Sequence, residues 1–382
     1  MIPYKSLSLY ITGDSGEITP DSALWAMPLA GQSAKFTSTP KSTDTGWTVG
    51  GYLDAAAEFL CKAETSKALA AAMGSGAKTL CDTRLSLFLE KHGAYYHPIR
   101  VVARNEGKAA VFVLNGAVTG QGLALIEKEV GLLNALVPEL GRTVIPEVYA
   151  AGKISGAAGY AGFFLGPWFE GFHEFHITGN GDRVVIWRPG DTDLALPLKR
   201  ALPIYENIAA LLTRAYDKDC GREIFPWHHA AGDFIVDPLD DTMQVRLITV
   251  RGYDRLSGMD VAKTGPYPPL LFFLLNLSLR MRLDRIDGVG DAVFLSKSVL
   301  HATLKGFFRG LGSKGLDDPE FLSGFTALLA GLDVEQLLGI LIQELEVWPP
   351  GPSEVEIIRA ELAAHCAEIS ALFNSRDILD FY

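Results

Sequence analysis

A chain of 382 residues, 48% hydrophobic, 10% aromatic and 21% charged, has the composition of a globular protein and exceeds what one ordinary core fills, so two or three lobes are expected. Its net charge of -11 opposes the phosphate backbone, and no lysine or arginine run offsets it, which argues against a general nucleic-acid binder. The four cysteines, Cys61, Cys81, Cys220 and Cys366, form no Cys-x-x-Cys pair and read as reduced thiols of a cytoplasmic protein.

The opening MIPYKSLSLYITGDSGE holds no apolar core of signal-peptide length, so none is expected. Residues 1–82 read as an N-terminal extension. It comprises a polar loop that includes SAKFTSTPKSTDTG, then the helical stretch GYLDAAAEFLCKAETSKALAAAM, stopped at Gly74-Ser75-Gly76. The fragment GSGAKT lacks the strand before it and the Gly-Lys-Thr adjacency of a phosphate loop. Residues 83–196 read as a β-rich lobe. RLSLFLEKHG, YYHPIRVVARNEG and KAAVFVLNGAV are strand-like, with a turn at Asn105-Glu106-Gly107. GLALIEKEVGLLNALV then sets apolar residues at helical spacing. VYAAGKI and GYAGFFLGPWFEGF add two strands, and HEFHIT and RVVIW form a hairpin about Gly179-Asn180-Gly181-Asp182.

Residues 197–382 read as a helical lobe. LPIYENIAALLTRAYDKD is an amphipathic helix leading into EIFPWHHAAGDFIVDP, after which DFIVDPLDDTMQVRLITV forms a strand pair. PLLFFLLNLSLRMRL meets Asn276, Arg280 and Arg282 too soon to span a bilayer and reads as a buried helix. The fold class expected is therefore α+β, with no membrane span.

This order of elements resembles the two-lobed protein-kinase-like fold, a small antiparallel β lobe followed by a larger helical lobe. The variant it resembles is that of aminoglycoside phosphotransferases and lipopolysaccharide-type small-molecule kinases, over about residues 83–350. The resemblance implies ATP with magnesium or manganese as cofactor and a small-molecule ligand or nucleotide as partner; a protein partner enters if the relative is inactive. Laid on this chain, the family's strand lysine falls at Asn115 and its helix glutamate at Glu129. Glu129 then needs a substitute cation such as Arg188, Arg251 or Lys108. The catalytic aspartate falls at His228 and the metal-binding asparagine at Asp233. The second metal-binding aspartate falls at Thr249, with Asp254 a substitute a few residues on. Gly93 is the single glycine where the family has a phosphate loop.

Read without the family, PWHHAAGDF pairs two histidines with an aspartate in a glycine-containing loop. His228 suits proton transfer near neutral pH, and Asp233 suits holding a hard cation or orienting the histidine. The alternative is that both histidines satisfy buried carbonyls beside Trp227. In HEFHIT, Glu174 and His176 share a strand face, and His176, His228 and Asp233 together would suit a zinc- or manganese-type ion. Three functions follow. One is a divergent small-molecule phosphotransferase with His228 and Asp233 in catalysis. Another is an inactive, pseudokinase-like binding or regulatory module. The last is a metal-dependent enzyme that uses the histidines.

Overall fold

The computed structural model describes residues 7–13, 16–29, 45–74, 83–90, 95–105, 108–188, 191–239, 242–288, 290–315, 318–347 and 349–374. It is an α+β structure of two compact units, Met1–Val137 with Pro146–Glu170, and Pro138–Ile145 with Gly171–Tyr382.

The first unit is built on a six-stranded sheet of β1 (Leu7–Ile11), β2 (Arg84–Leu89), β3 (Ile99–Asn105), β4 (Lys108–Ala117), β5 (Ala150–Gly156) and β6 (Gly159–Pro167), in the order β1-β2-β3-β4-β6-β5. Alternation sets its faces: Leu85, Leu87 and Leu89 point into the core while Ser86 and Phe88 stay half-exposed. The sheet is mixed rather than antiparallel as expected, because β1 runs parallel to β2. Helices α1 (Val49–Cys61), capped by the Thr48 hydroxyl on the Gly51 amide, and α2 (Ala63–Ala72) pack on this sheet. Phe59 of α1 stacks on Phe163 of β6 with centroids 5.5 Å apart. Helix α3 (Gly120–Leu140) buries Ile126, Leu133 and Leu136, the apolar rhythm seen in the sequence. Asn105 pairs with Lys108, whereas Glu106 and Gly107 of the expected turn lie outside the described residues. So do nearly all of SAKFTSTPKSTDTG, Ser75 to Thr79 of GSGAKT, Ser75 and Gly76 of the helix stop, Cys81, and Gly93.

The second unit takes in the segment from Gly171, so the boundary falls ahead of the hairpin and not at residue 196 as its strand pattern predicts. The expected hairpin forms as β7 (Phe175–Thr178) and β8 (Arg183–Ile186), and gains a third strand, β9 (Leu194–Pro197). Its apolar face, with Phe175, Ile177, Val184, Ile186 and Leu196, is buried with α4 (Leu198–Ala215), which fixes this little sheet to the helical unit. Short antiparallel pairs follow: β10 (Glu223–Ile224) with β13 (Tyr253–Asp254), and β11 (Phe234–Val236) with β12 (Val245–Leu247). After the short α5 (Val261–Thr264), helix α6 (Tyr267–Arg282) is buried along nearly its whole length and forms the axis of the unit. It runs directly into β14 (Leu283–Arg285), paired with β15 (Ala292–Phe294). Helices α7 (Lys297–Gly312), α8 (Pro319–Ala330), α9 (Val334–Val347) and α10 (Pro352–Asn374) complete the unit. Among the described residues, no single helix is long and apolar enough to cross a membrane; α8 and α9 reach that hydropathy only as a pair bent by 100°.

Candidate metal centre

Helix α4 stops at Ala215, and a turn through Asp217–Arg222 separates it from EIFPWHHAAGDFIVDP. Pro226 therefore follows a strand, β10, and does not end a helix. Trp227 is buried and meets Phe234 edge-on with centroids 6.2 Å apart, anchoring the segment at both ends. Residues His229–Asp233 close one wide turn of π type, with Gly232 at φ 76°, a left-handed conformation that a side chain would strain. This turn places the two histidines on the α6–β14 junction.

His229 is fully buried. Its Nε2 lies 3.2 Å from the carbonyl of Met281, the last turn of α6. A carbonyl only accepts, so Nε2 carries the proton and the neutral ring leaves Nδ1 as a bare lone pair. Burial pushes His229 down to about 4, the carbonyl opposing it, so the neutral form holds at physiological pH. Nδ1 points at Oδ2 of Asp284 across 3.3 Å. Asp284 is equally buried on β14, and burial pushes it up to about 6, with the His228 charge opposing. Neither His229 Nδ1 nor Asp284 Oδ2 has a hydrogen-bond partner. Two acceptors thus face each other where both are buried, an arrangement that is repulsive unless a shared proton or a cation lies between them.

His228 completes the group. A ligand atom from each of His228, His229 and Asp284 lies within 4.8 Å of the others. His228 is half-buried, its pKa lowered by burial and by the neighbouring His229. The two imidazoles sit 5.3 Å apart by centroid at 56°, so they present different edges to the same space. Tyr205 of α4 meets the His229 ring edge-on at 5.6 Å and holds its plane. Beside the group opens a shallow cavity of about 300 Å³, counting space open to solvent, lined by Trp227, His228, His229, Arg280, Leu283 and Glu354.

The other expected site residues are distributed differently. Asp233 is fully buried, accepts the His228 amide at 2.9 Å on Oδ2 and pairs through the same oxygen with Arg251. It braces the loop instead of joining the cluster. His176 sits 3.8 Å from Asp287, in the turn after β14. Asp254 is exposed on β13, and Thr249 is half-buried after β12. Of the set His176, His228 and Asp233 expected to hold a metal, with Asp254 as the substitute of the kinase-like placement, only His228 lies in the group that the fold brings together. Asn115 is half-buried in β4, and Glu129 is fully buried in α3, where the Tyr96 hydroxyl donates to its carboxylate. Of the cations expected beside Glu129, Arg251 pairs with Asp233 and Arg188 with Asp191, and Lys108 is exposed at the start of β4.

Sequence reasoning found His228 and the loop but read His229 as a second-choice group, and missed Asp284 altogether. The one signal for Asp284 was an aspartate directly behind a long apolar helix, with no solvated turn between them.

No protein-family model matches the chain, and no curated protein matches it.

Proposed function

We propose that this chain is a metal-dependent enzyme acting on a small molecule, with a divalent ion held by His228, His229 and Asp284. The observation that carries the reading is the buried face-off of His229 Nδ1 and Asp284 Oδ2, without hydrogen-bond partners, at 3.3 Å. In a tetrahedral site with bonds of about 2.1 Å, neighbouring ligand atoms stand roughly 3.4 Å apart, so this pair already has the spacing of one edge. The Met281 carbonyl supports His229 as outer-shell acceptors support ligating histidines, fixing the tautomer. Two imidazoles and one carboxylate suit zinc, iron or manganese better than magnesium or calcium. Three protein ligands beside a cavity leave a position for water, as in catalytic rather than structural sites; the ion there lowers the pKa of bound water towards neutrality.

The kinase-like resemblance stands as a proposal for the scaffold. What supports it is the element order, strands, α3, two strands and then a helical unit, and the burial of Glu129. As a phosphotransferase, however, the chain would need Asp233 for magnesium or manganese; Arg251 and the His228 amide already share its Oδ2, which leaves only Oδ1 for an ion.

Thermal denaturation of metal-stripped protein tests these readings. Zinc or manganese alone is expected to raise the midpoint by about 5 °C at saturating concentration. His228→Asn and Asp284→Asn are each expected to weaken metal binding by about 100-fold. Cobalt(II) should give a visible absorption band that both variants lose. A shift seen only with ATP plus magnesium would restore the phosphotransferase reading, and one with nucleotide alone the binding-module reading. No shift with any first-row metal would remove the proposal.

A further inference from the structure

A third buried polar atom beside the metal group has no partner. Tyr205, in the first half of α4, is fully buried and sets its ring edge-on to that of His229, with centroids 5.6 Å apart. Its hydroxyl makes no hydrogen bond, just as His229 Nδ1 and Asp284 Oδ2 make none. A buried tyrosine ordinarily spends its O–H on an acceptor, so an idle one beside a group of unserved acceptors needs a cause. The phenol also lies within the field of Asp284. Burial first, and then that carboxylate, hold its pKa well above the usual tyrosine value, so the oxygen keeps its proton and serves as a donor. A proton shared between His229 and Asp284 would satisfy those two atoms and leave this donor unserved. An ion on the two acceptors, carrying an oxygen that faces the phenol, satisfies all three.

We infer that the Tyr205 hydroxyl donates a hydrogen bond to the atom in the metal's open position, an oxygen of the substrate or of water. This rests on the metal reading above and adds a catalytic group to it. The ligand class that follows presents the metal with an oxygen that still holds a lone pair, as a carbonyl, carboxylate or phosphoryl group does. A donor on a ring packed against His229 needs no reorganisation. It favours the negative charge that builds on such an oxygen when an ion polarises it.

Cobalt(II)-loaded protein reports on the open position through its visible absorption. Azide keeps lone pairs after giving one to a metal, whereas imidazole has none left on its ligating nitrogen. Each is titrated into the parent and into Tyr205→Phe. The variant is expected to bind azide about 10-fold more weakly, the worth of one hydrogen bond to a charged acceptor. Its affinities for cobalt and imidazole should stay within about threefold of the parent's. Without metal, the variant should melt at or above the parent's midpoint, because the deleted hydroxyl makes no hydrogen bond in the folded chain. Azide that fails to bind the loaded parent, that binds both proteins alike, or that weakens only as much as imidazole does overturns the inference and leaves the metal site standing. A metal-free midpoint several degrees lower also overturns it, since the hydroxyl would then already be bonded inside the fold. If cobalt does not bind the parent, the metal reading and this inference fail together.

Discussion

Glu223 and Glu344 are the two most completely buried glutamates of the second unit, and they show how a residue's surroundings set a measurable property. Burial pushes Glu223 up to about 8, with the Asn276 amide opposing, and Glu344 is raised well above its ordinary value by burial and by the Glu223 charge. The folded chain therefore keeps a proton on Glu223 that the unfolded chain releases near 4.5. Stability from this group is full below that pH and declines as pH rises towards 8. Glu223→Gln is neutral throughout and should flatten the decline, gaining about 2 kcal/mol at pH 8 in urea denaturation. Parallel pH profiles for parent and variant would contradict this. Asp233 is the opposite case, a buried carboxylate whose charge is met by Arg251. Removing the partner strands the charge, so Arg251→Ala should cost about 3 kcal/mol, and Arg251→Ala with Asp233→Asn should recover most of it. Additive losses in that double variant would show that the pair is not coupled.

Helices and sheets follow from local pattern wherever their partners are close in sequence. β4 and α6 were legible because a short run rich in valine and phenylalanine in one and a long, mostly apolar run in the other survive without knowledge of tertiary contacts. β1 was not: LSLYI lies in polar surroundings, and its parallel partner β2 begins at Arg84, far along the chain. β9 was hidden because four residues, LALP, run straight into α4. The candidate site shows the same limit. His228 and His229 announced themselves as neighbours, but Asp284 reaches them only because α6 carries it across the unit. The spacing Gly306-x-x-x-Gly310 in α7 is a further feature at this scale. A Cβ at Gly306 would lie 2.1 Å from the Glu206 carbonyl of α4, and one at Gly310 would lie 2.7 Å from that of Ala210. The two backbones meet there, and neither can give way. Gly306→Ala should destabilise the protein by about 2 kcal/mol or more, against the slight gain alanine brings to an exposed helix position. An unchanged or raised denaturation midpoint would show that α4 and α7 are free to separate.

At the scale of the whole chain, the metal reading and the kinase-like reading differ in which parts of the molecule a ligand must engage. His228, His229 and Asp284 all belong to the second unit, as do Arg280 and Glu354 beside them. The kinase-like placement instead takes Asn115 and Glu129 from the first unit and His228, Asp233 and Thr249 from the second. Binding free energy stabilises whatever structure the ligand requires, so amide hydrogen exchange reads out which parts those are. Zinc added to the metal-stripped protein should slow exchange in β10, the turn before β11, the last turn of α6 and β14, since these hold or brace the ligands. Exchange in β2, β3, β4 and α3 should stay the same, because no ligand comes from them. Protection that appears in β4 and α3 only when ATP and magnesium are present would instead mean that Asn115 and Glu129 take part in holding a nucleotide.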